Sequence, residues 1–353
     1  MQVEELLLKD YSPRSTLVTE EHFVERPRFP AIDAHNHLGF RTDAFGDAAA
    51  AGETGRADDV EALVETMDRC GVKTMANLTG RWGDDLKRLL EKYEERHPGR
   101  FFTFANVDWT GLNEPGFGER AARQLEESVG AGARGLKIFK ALGLRLKDAS
   151  GRLLMPDDER LDPLWVKAGE LGVPVLIHVA DPAAFFDPMD RFNESYLTLL
   201  RYPDWRFHGP GIPSFLDLVE AGIRLIARHP RTTFITAHTG WYSENLQFVG
   251  QQMLDRLPNV YTDFSARVSI LGRQPRIARQ FFLKYQDRIL FGTDETPSPE
   301  TYHLYYRFLE TEDDYFEPRA GRWWARVYGL GLPDAVLEKV YHKNAERVIP
   351  GLA

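Results

Sequence analysis

The chain has 353 residues, of which 43% are hydrophobic and 27% are charged, and its formal net charge is −9 at pH 7. This length and composition suffice for a large core and exclude a disulfide-stapled miniprotein or a low-complexity chain. The negative charge argues against a nucleic-acid-binding surface. The single cysteine, Cys70, excludes an intramolecular disulfide and a cysteine-rich zinc site.

No stretch of the sequence approaches the roughly 18 consecutive apolar residues that a membrane helix needs. The first residues, MQVEELLLKDYSPRSTLVTEE, lack the basic start and apolar run of a signal peptide. We therefore expect a cytoplasmic protein with neither nucleic acid nor membrane as a partner. Assembly into a homo-oligomer stays open.

Short apolar runs predict eight strands, most of them with few alternating polar positions, as expected for strands that are covered on both faces. The predicted strands are Ala31–His35, Val72–Asn77, Phe101–Val107, Gly135–Phe139, Val173–His178, Thr233–His238, Val260–Phe264 and Arg288–Gly292.

Amphipathic stretches between these runs predict helices. The stretch 58–70 places apolar residues at three- and four-residue spacing behind aspartates that can cap a helix, and the last helix is predicted over 334–348. Strands that alternate with helices predict a parallel (β/α)8 TIM barrel. A doubly wound sheet is the rival fold, but the glycine-rich turn typical of it does not follow the first strand.

The chain divides into an N-terminal extension, residues 1–30, and a barrel domain, residues 31–353. Two connections, 180–213 after the fifth strand and 295–333 after the eighth, are longer than a barrel needs and lie at its active face. They are rich in aromatic and charged residues, which predicts either packing on the barrel rim or a lid and substrate wall. For the aromatic stretches Tyr302–Phe308 and Phe281–Tyr285 we expect core packing rather than a dimer surface.

Four histidines and one aspartate fall at the ends of predicted strands. His35 and His37 follow the first strand, His178 and His238 end the fifth and sixth, and Asp294 follows the eighth. In a closed barrel the first and eighth strands are neighbours, so these side chains converge at the mouth. Imidazoles and a carboxylate suit zinc, manganese, iron or nickel. Each residue alone would more often be a hydrogen-bonded core residue, but burying several imidazoles together without a ligand is costly.

The sequence phrases IDAHNHLG, GVPVLIH, AHTG, ILFGTD and KVYHKNAERVI resemble the amidohydrolase superfamily, in its amidohydrolase-related branch, over about residues 30–350. That branch contains metal-dependent hydrolases, lactonases, hydratases and non-oxidising decarboxylases. The resemblance implies one divalent metal held by His35, His37, His178 and Asp294, with zinc favoured over manganese or another transition metal. It also implies that His238 orients or deprotonates the reacting water.

In two-metal relatives a carboxylated lysine of the fourth strand bridges the ions. Lys137 and Lys140 are three residues apart in ARGLKIFKA, so only one of them is expected to face the barrel interior. Lys137 better matches the pattern of the branch, in which this lysine often stays unmodified. We therefore favour an ordinary Lys137 and a single metal.

Four cationic strand-end residues could meet an anionic substrate, namely Arg41, Arg81, Lys137 and Arg267. We assign substrate binding to Arg81, Lys137, Trp241 and Arg267. Guanidinium and ammonium groups there suit a carboxylate, although each arginine fits an ion pair that braces a loop equally well.

The resulting hypothesis is a metal-dependent hydrolase that uses activated water on an amide, ester or lactone bond of a small anionic or hydroxylated substrate. In it, Asp294 or His238 takes the proton of the water and returns it to the leaving group. The alternatives are a metal-dependent non-oxidative decarboxylase and a non-catalytic metal-binding barrel.

Overall fold

Eight parallel strands form the centre of the computed structural model, which describes residues 6–7, 11, 14–38, 59–180, 182–318 and 325–352. The strands pair in chain order, from the first to the eighth. They are β1 (Ala31–Asp33), β2 (Val72–Asn77), β3 (Phe101–Ala105), β4 (Gly135–Ile138), β5 (Val175–Ile177), β6 (Phe234–Thr236), β7 (Val260–Asp263) and β8 (Ile289–Leu290).

Helices separate the strands and cover the sheet. They are α1 (Val60–Cys70), α2 (Gly83–Leu90), α3 (Phe117–Ala131), α4 (Ala141–Leu144), α5 (Asp162–Leu171), α6 (Tyr196–Arg201), α7 (Phe215–Arg228), α8 (Ala237–Gly240), α9 (Leu246–Phe248), α10 (Val268–Leu271), α11 (Pro275–Lys284), α12 (Pro299–Glu310), α13 (Asp334–Glu338) and α14 (Asn344–Val348). A π-helical segment, Lys339–Lys343, joins α13 to α14, which confirms the predicted last helix.

The ends of α1 show why the sequence folds this way locally. The side chain of Asp59 accepts a hydrogen bond from the backbone N of Ala62, and Gly71 ends the helix with a left-handed φ of 71°. Between these caps, Leu63 and Met67 are buried on one face of the helix. The aspartate cap and the apolar spacing predicted for this stretch are both confirmed.

The two faces of the sheet are both buried. Ile32, Leu176 and Ile235 pack in a cluster made mostly of strand residues, whereas Val175 and Phe234 pack in a larger cluster with the helices. Side chains alternate between the two sides of a strand, so this division separates the barrel interior from the layer under the helices. The predicted (β/α)8 barrel is confirmed, as are its eight strands, although most strands are shorter at one or both ends than predicted.

Hydrogen bonds join the first and last strands just beyond their ends. The backbone N of Ala34 donates to the carbonyl of Phe291 at 2.9 Å, and the backbone N of Asp294 donates to the carbonyl of His35 at 2.7 Å. These bonds form what we call the β1/β8 seam. They join the two edge strands of the sheet at the mouth of the barrel.

The long connections pack on the barrel. Tyr302 and Tyr306 of α12 are fully buried, so core packing is confirmed for this aromatic stretch. The segment after β5 is tied to other loops, because Arg273 forms two ion-pair contacts with Glu194 and Glu244 accepts a hydrogen bond from the backbone of Ala183. Among the described residues, none of the helices combines the length and the apolar character needed to cross a bilayer.

The β1/β8 seam is tightly packed at Gly292. A Cβ at this position would lie 2.8 Å from the His35 Cβ and 3.0 Å from its backbone N. We expect Gly292→Ala to lower the free energy of unfolding by about 1–3 kcal/mol because the seam must open. Urea unfolding measures this loss. Gly130→Ala is the control, since a Cβ there has nothing within 4 Å; equal stabilities of the two variants would contradict the prediction.

Candidate metal centre

Three imidazoles surround one carboxylate at the mouth of the barrel. The Oδ2 atom of Asp294 lies 3.9 Å from the Nε2 of His35 and 3.8 Å from the Nε2 of His238, and its Oδ1 lies 3.7 Å from the Nε2 of His37. Ligand atoms of His35, His37 and Asp294 all lie within 4.8 Å of one another. These three residues could therefore hold one metal ion.

The backbone is strained where these side chains leave the strands. His238 has a φ of 58° and Asp294 a φ of 49°, and Arg81, Ala180 and Ala266 also have positive φ at the ends of their strands. Side chains other than glycine seldom adopt this region, at a cost of about 1–3 kcal/mol each. Such conformations persist where the surrounding structure imposes them, and they cluster here at the predicted active face.

The buried imidazole of His35 has a defined orientation. Its Nδ1 lies 2.8 Å from the Oδ2 of Asp263, so the carboxylate holds the proton on Nδ1 and leaves a lone pair on Nε2. Among the residues that the structure describes, this Nε2 has no hydrogen-bond partner. A buried acceptor atom without a partner is costly unless it has a ligand, and this arrangement of donor atoms fits a divalent metal.

The imidazole of His238, like that of His35, has a hydrogen-bond acceptor at its Nδ1. Its Nδ1 lies 2.8 Å from the backbone carbonyl of Ser265, and a carbonyl oxygen only accepts hydrogen bonds. A proton is therefore on Nδ1, and Nε2 faces Asp294. An Nε2 that carries no proton can accept one from a group bound in the site.

His178 lies against His238, with their ring centroids 4.5 Å apart, and is not in the group formed by His35, His37 and Asp294. Burial lowers the pKa of His178 well below its ordinary value, and the charges of Lys140, Lys137 and Arg267 lower it further. The ring is consequently neutral, as a metal-binding imidazole must be.

Lys140 has a different position from the one that strand alternation suggested. Because β4 ends at Ile138, Lys140 lies beyond the strand, and both Lys137 and Lys140 are buried beside His178. The Lys140 Nζ lies between 5.4 and 5.8 Å from the centroids of three aromatic rings. The rings belong to Phe185, Trp205 and Phe207, all from the connection after β5.

The other candidates for the substrate wall have different surroundings. Arg267 is buried and donates to the carbonyl of Ala266, whereas Arg81 is partly exposed and lies over the ring of Trp82. Arg41 lies outside the described residues.

Trp241 does not lie where a substrate wall requires it. The indole is fully buried, its Nε1 donates to the carbonyl of Ile177 at 2.8 Å, and it packs against Gly222 of α7. We therefore no longer assign Trp241 to substrate binding. Its position after a strand-end histidine suggested the wall, but the left-handed turn at α8 directs the ring into the core.

Sequence reasoning missed Asp263 and Ser265, which contact both His35 and His238. Although burial raises the pKa of Asp263, the His35 imidazole and the hydrogen bonds from His35 and Ser265 outweigh it and hold that pKa well below its ordinary value. The available signal was the position of Asp263 at the end of β7, in VYTDF, which matches that of the other site residues.

Comparisons with known proteins agree with this architecture. The sequence model of a family described as Amidohydrolase matches residues 32–351. A search of curated proteins gave no match.

Among solved structures, 2,6-dihydroxybenzoate decarboxylase from Rhizobium is 18% identical, with a TM-score of 0.57 over 91% of this chain and 98% of that chain. A 5-carboxyvanillate decarboxylase from Novosphingobium aromaticivorans, in complex with manganese, is 14% identical, with a TM-score of 0.54 over 91% and 96%. A probable 2-pyrone-4,6-dicarboxylic acid hydrolase from Acinetobacter baumannii is 11% identical, with a TM-score of 0.50 over 91% and 99%. Likeness at these identities establishes the fold.

The core position of Trp241 predicts a loss of stability on substitution. Trp241→Phe leaves the carbonyl of Ile177 without its donor, which we expect to lower the free energy of unfolding by about 1–3 kcal/mol. Trp109→Phe is the control, because Trp109 is partly exposed and the phenyl ring keeps its stacking on Phe117, so a change within about 0.5 kcal/mol is expected. Urea unfolding compares the two variants. Equal losses of unfolding free energy would show that the hydrogen bond of Trp241 does not stabilise the fold.

Proposed function

Since the chain belongs to the amidohydrolase family, whose sequence model matches residues 32–351, we propose that it is a metal-dependent hydrolase. In this proposal the bond that it cleaves is an amide, ester or lactone bond of a small anionic substrate. The observation that carries the proposal is the buried Nε2 of His35, which has no hydrogen-bond partner among the described residues and faces Asp294 beside two further imidazoles.

His35, His37 and Asp294 would hold the metal, with His178 as a fourth ligand. These nitrogen and oxygen atoms suit zinc or manganese. When bound, a divalent metal supplies Lewis acidity, which makes water more acidic and a carbonyl carbon more electrophilic.

The residues of the chain move the proton. His238 accepts a proton from the attacking water at Nε2, while its Nδ1 stays bonded to the carbonyl of Ser265. The water oxygen bonds to the carbonyl carbon of the substrate, and the bond to the leaving nitrogen or oxygen breaks. The proton on His238 then passes to that leaving group, with Asp294 close enough to share in the transfer.

Positive charge near His178 supports an anionic substrate. Lys137, Lys140 and Arg267 are all buried, and the charge of each lowers the pKa of His178. Buried cations at an active face attract a carboxylate more strongly than exposed ones, because little water screens them. A substrate that presents a carboxylate to these groups would be oriented toward the metal.

Non-oxidative decarboxylation is the second candidate. It is favoured by the same three cations and by the names of two structurally similar proteins, which are decarboxylases of aromatic carboxylates. In that reaction the bond between the ring carbon and the carboxylate breaks, carbon dioxide leaves, and Asp294 or His238 delivers a proton to the carbon.

Metal content tests the site. We expect the purified chain to hold about one divalent metal per molecule and His35→Ala to lose it, because one Nε2 ligand is gone. His238→Asn should keep the metal and lose about 10²–10⁴-fold in turnover, the usual contribution of a general base. Elemental analysis and a chelator titration measure the first effect, and a steady-state assay the second.

His342→Ala is the matched control, since His342 pairs with Glu346 on α14, away from the mouth. Metal at full occupancy in His35→Ala would overturn the assignment. Metal without turnover on a broad panel of esters, lactones, amides and aromatic carboxylates would favour a non-catalytic metal-binding barrel.

Isotopic labelling separates the two reactions. A hydrolase incorporates oxygen from H₂¹⁸O into its product, because water is a reactant. A decarboxylase releases carbon dioxide and incorporates deuterium from D₂O at the carbon that loses the carboxylate. Mass spectrometry of the products reports both labels. Deuterium at that carbon without ¹⁸O in the product would replace the first proposal by the second.

A further inference from the structure

One carboxylate, that of Asp263, collects hydrogen bonds from three different strand ends. Its Oδ2 accepts from the Nδ1 of His35 at 2.8 Å, and its Oδ1 accepts from the backbone N of His238 at 3.1 Å. Ser265 adds two more donors to Oδ1, its backbone N at 3.0 Å and its hydroxyl at 2.5 Å. The carboxylate is fully buried, and these four hydrogen bonds give both of its oxygens a donor.

Ser265 links the two imidazoles directly. Its Oγ lies 3.0 Å from the Nδ1 of His35 and 3.0 Å from the Nδ1 of His238, and its backbone carbonyl accepts from the Nδ1 of His238 at 2.8 Å. Because the Ser265 hydroxyl already donates to Asp263, its oxygen is left as an acceptor toward both rings. Every contact on the Nδ1 side therefore favours a proton there.

Asp263 lies close enough to His35 and His238 to be considered a metal ligand itself. The hydrogen bonds argue against that role. The Nδ1 of His35 points to Asp263 and its Nε2 points to Asp294, so the two carboxylates lie on opposite edges of the same ring. A metal beside Asp294 meets the free lone pair of Nε2, whereas one beside Asp263 would have to displace the hydrogen bonds that this carboxylate accepts.

We propose that Asp263 and Ser265 form a positioning pair that holds both His35 and His238 in the Nδ1-protonated tautomer, with each Nε2 directed at Asp294. His35, as a metal ligand, and His238, as the proton acceptor, then both depend on the carboxylate of Asp263. This inference rests on the proposed function for its catalytic meaning, but the tautomers themselves are a property of the metal-free chain.

The pair makes a specific prediction for Asp263→Asn. The substituted amide carries two N–H donors and only one acceptor oxygen, so it cannot accept from His35, His238 and Ser265 together. If an N–H of the amide faces the His35 ring, the proton of that ring moves to Nε2, where it blocks metal binding. We expect metal affinity to fall about 10–100-fold, the usual effect of removing a carboxylate that supports a metal-bound histidine.

Two measurements test the proposal on the whole chain. Long-range ¹H–¹⁵N correlation spectra of histidine-labelled, metal-free protein should show Nδ1-protonated tautomers for His35 and His238, with signals assigned through the His35→Ala and His238→Asn variants. Competition with a chromophoric chelator should give the fall in Zn²⁺ and Mn²⁺ affinity for Asp263→Asn. Ser265→Ala, which keeps the carboxylate, should show a smaller loss.

Asp313→Asn is the matched control. Asp313 is also a buried carboxylate that accepts from a backbone N and from Arg307, but it pairs with His22 rather than with a site histidine. This variant should lose stability and keep its metal affinity within about threefold of wild type, a shift smaller than the loss expected at a supporting carboxylate.

Other results would distinguish the positioning role from the proposed function. Nε2-protonated rings in the wild-type chain, or Asp263→Asn that binds metal like the control, would overturn the positioning role. If the wild-type chain binds no metal while both rings are protonated at Nδ1, the proposed function fails and the positioning inference stands. If Asp263→Asn fails to fold, the spectra of the wild-type chain and of Ser265→Ala still give a result.

Discussion

The β1/β8 seam is the contact on which the candidate site depends. The backbone N of Asp294 donates to the carbonyl of His35, and this bond places predicted ligands from the first and last strands side by side. Gly292 allows the approach because it has no Cβ to meet His35. Without closure, His35 and His37 would stand at one edge of an open sheet and Asp294 at the other.

The seam alone does not orient the rings. The strand ends leave regular geometry at His238 and Asp294, which both have left-handed backbones. Hydrogen bonds fix these strained turns: Asp263 accepts from the backbone N of His238, and His35 accepts from that of Asp294. The conformational cost is thus offset by the contacts that aim the side chains, a pattern typical of functional sites.

Charge in the mouth is divided between two regions. On one side Asp263 and Asp294 flank the imidazoles, and this side suits a cation. On the other, burial lowers the pKa of His178, and the charges of Lys140, Lys137 and Arg267 lower it further. The aromatic rings around Lys140 come from the long connection after β5, so this insertion contributes directly to the charged side of the site.

The sequence by itself determined the order of strands and helices, the barrel, and the strand-end positions of His35, His238 and Asp294, because apolar runs and their ends are local features. Only the tertiary structure decided that Asp263 supports two imidazoles and that Trp241 belongs to the core. Those roles depend on which groups meet across neighbouring strand ends and on left-handed turns that redirect side chains. Neither the partners nor the turns follow from the local periodicity of a strand.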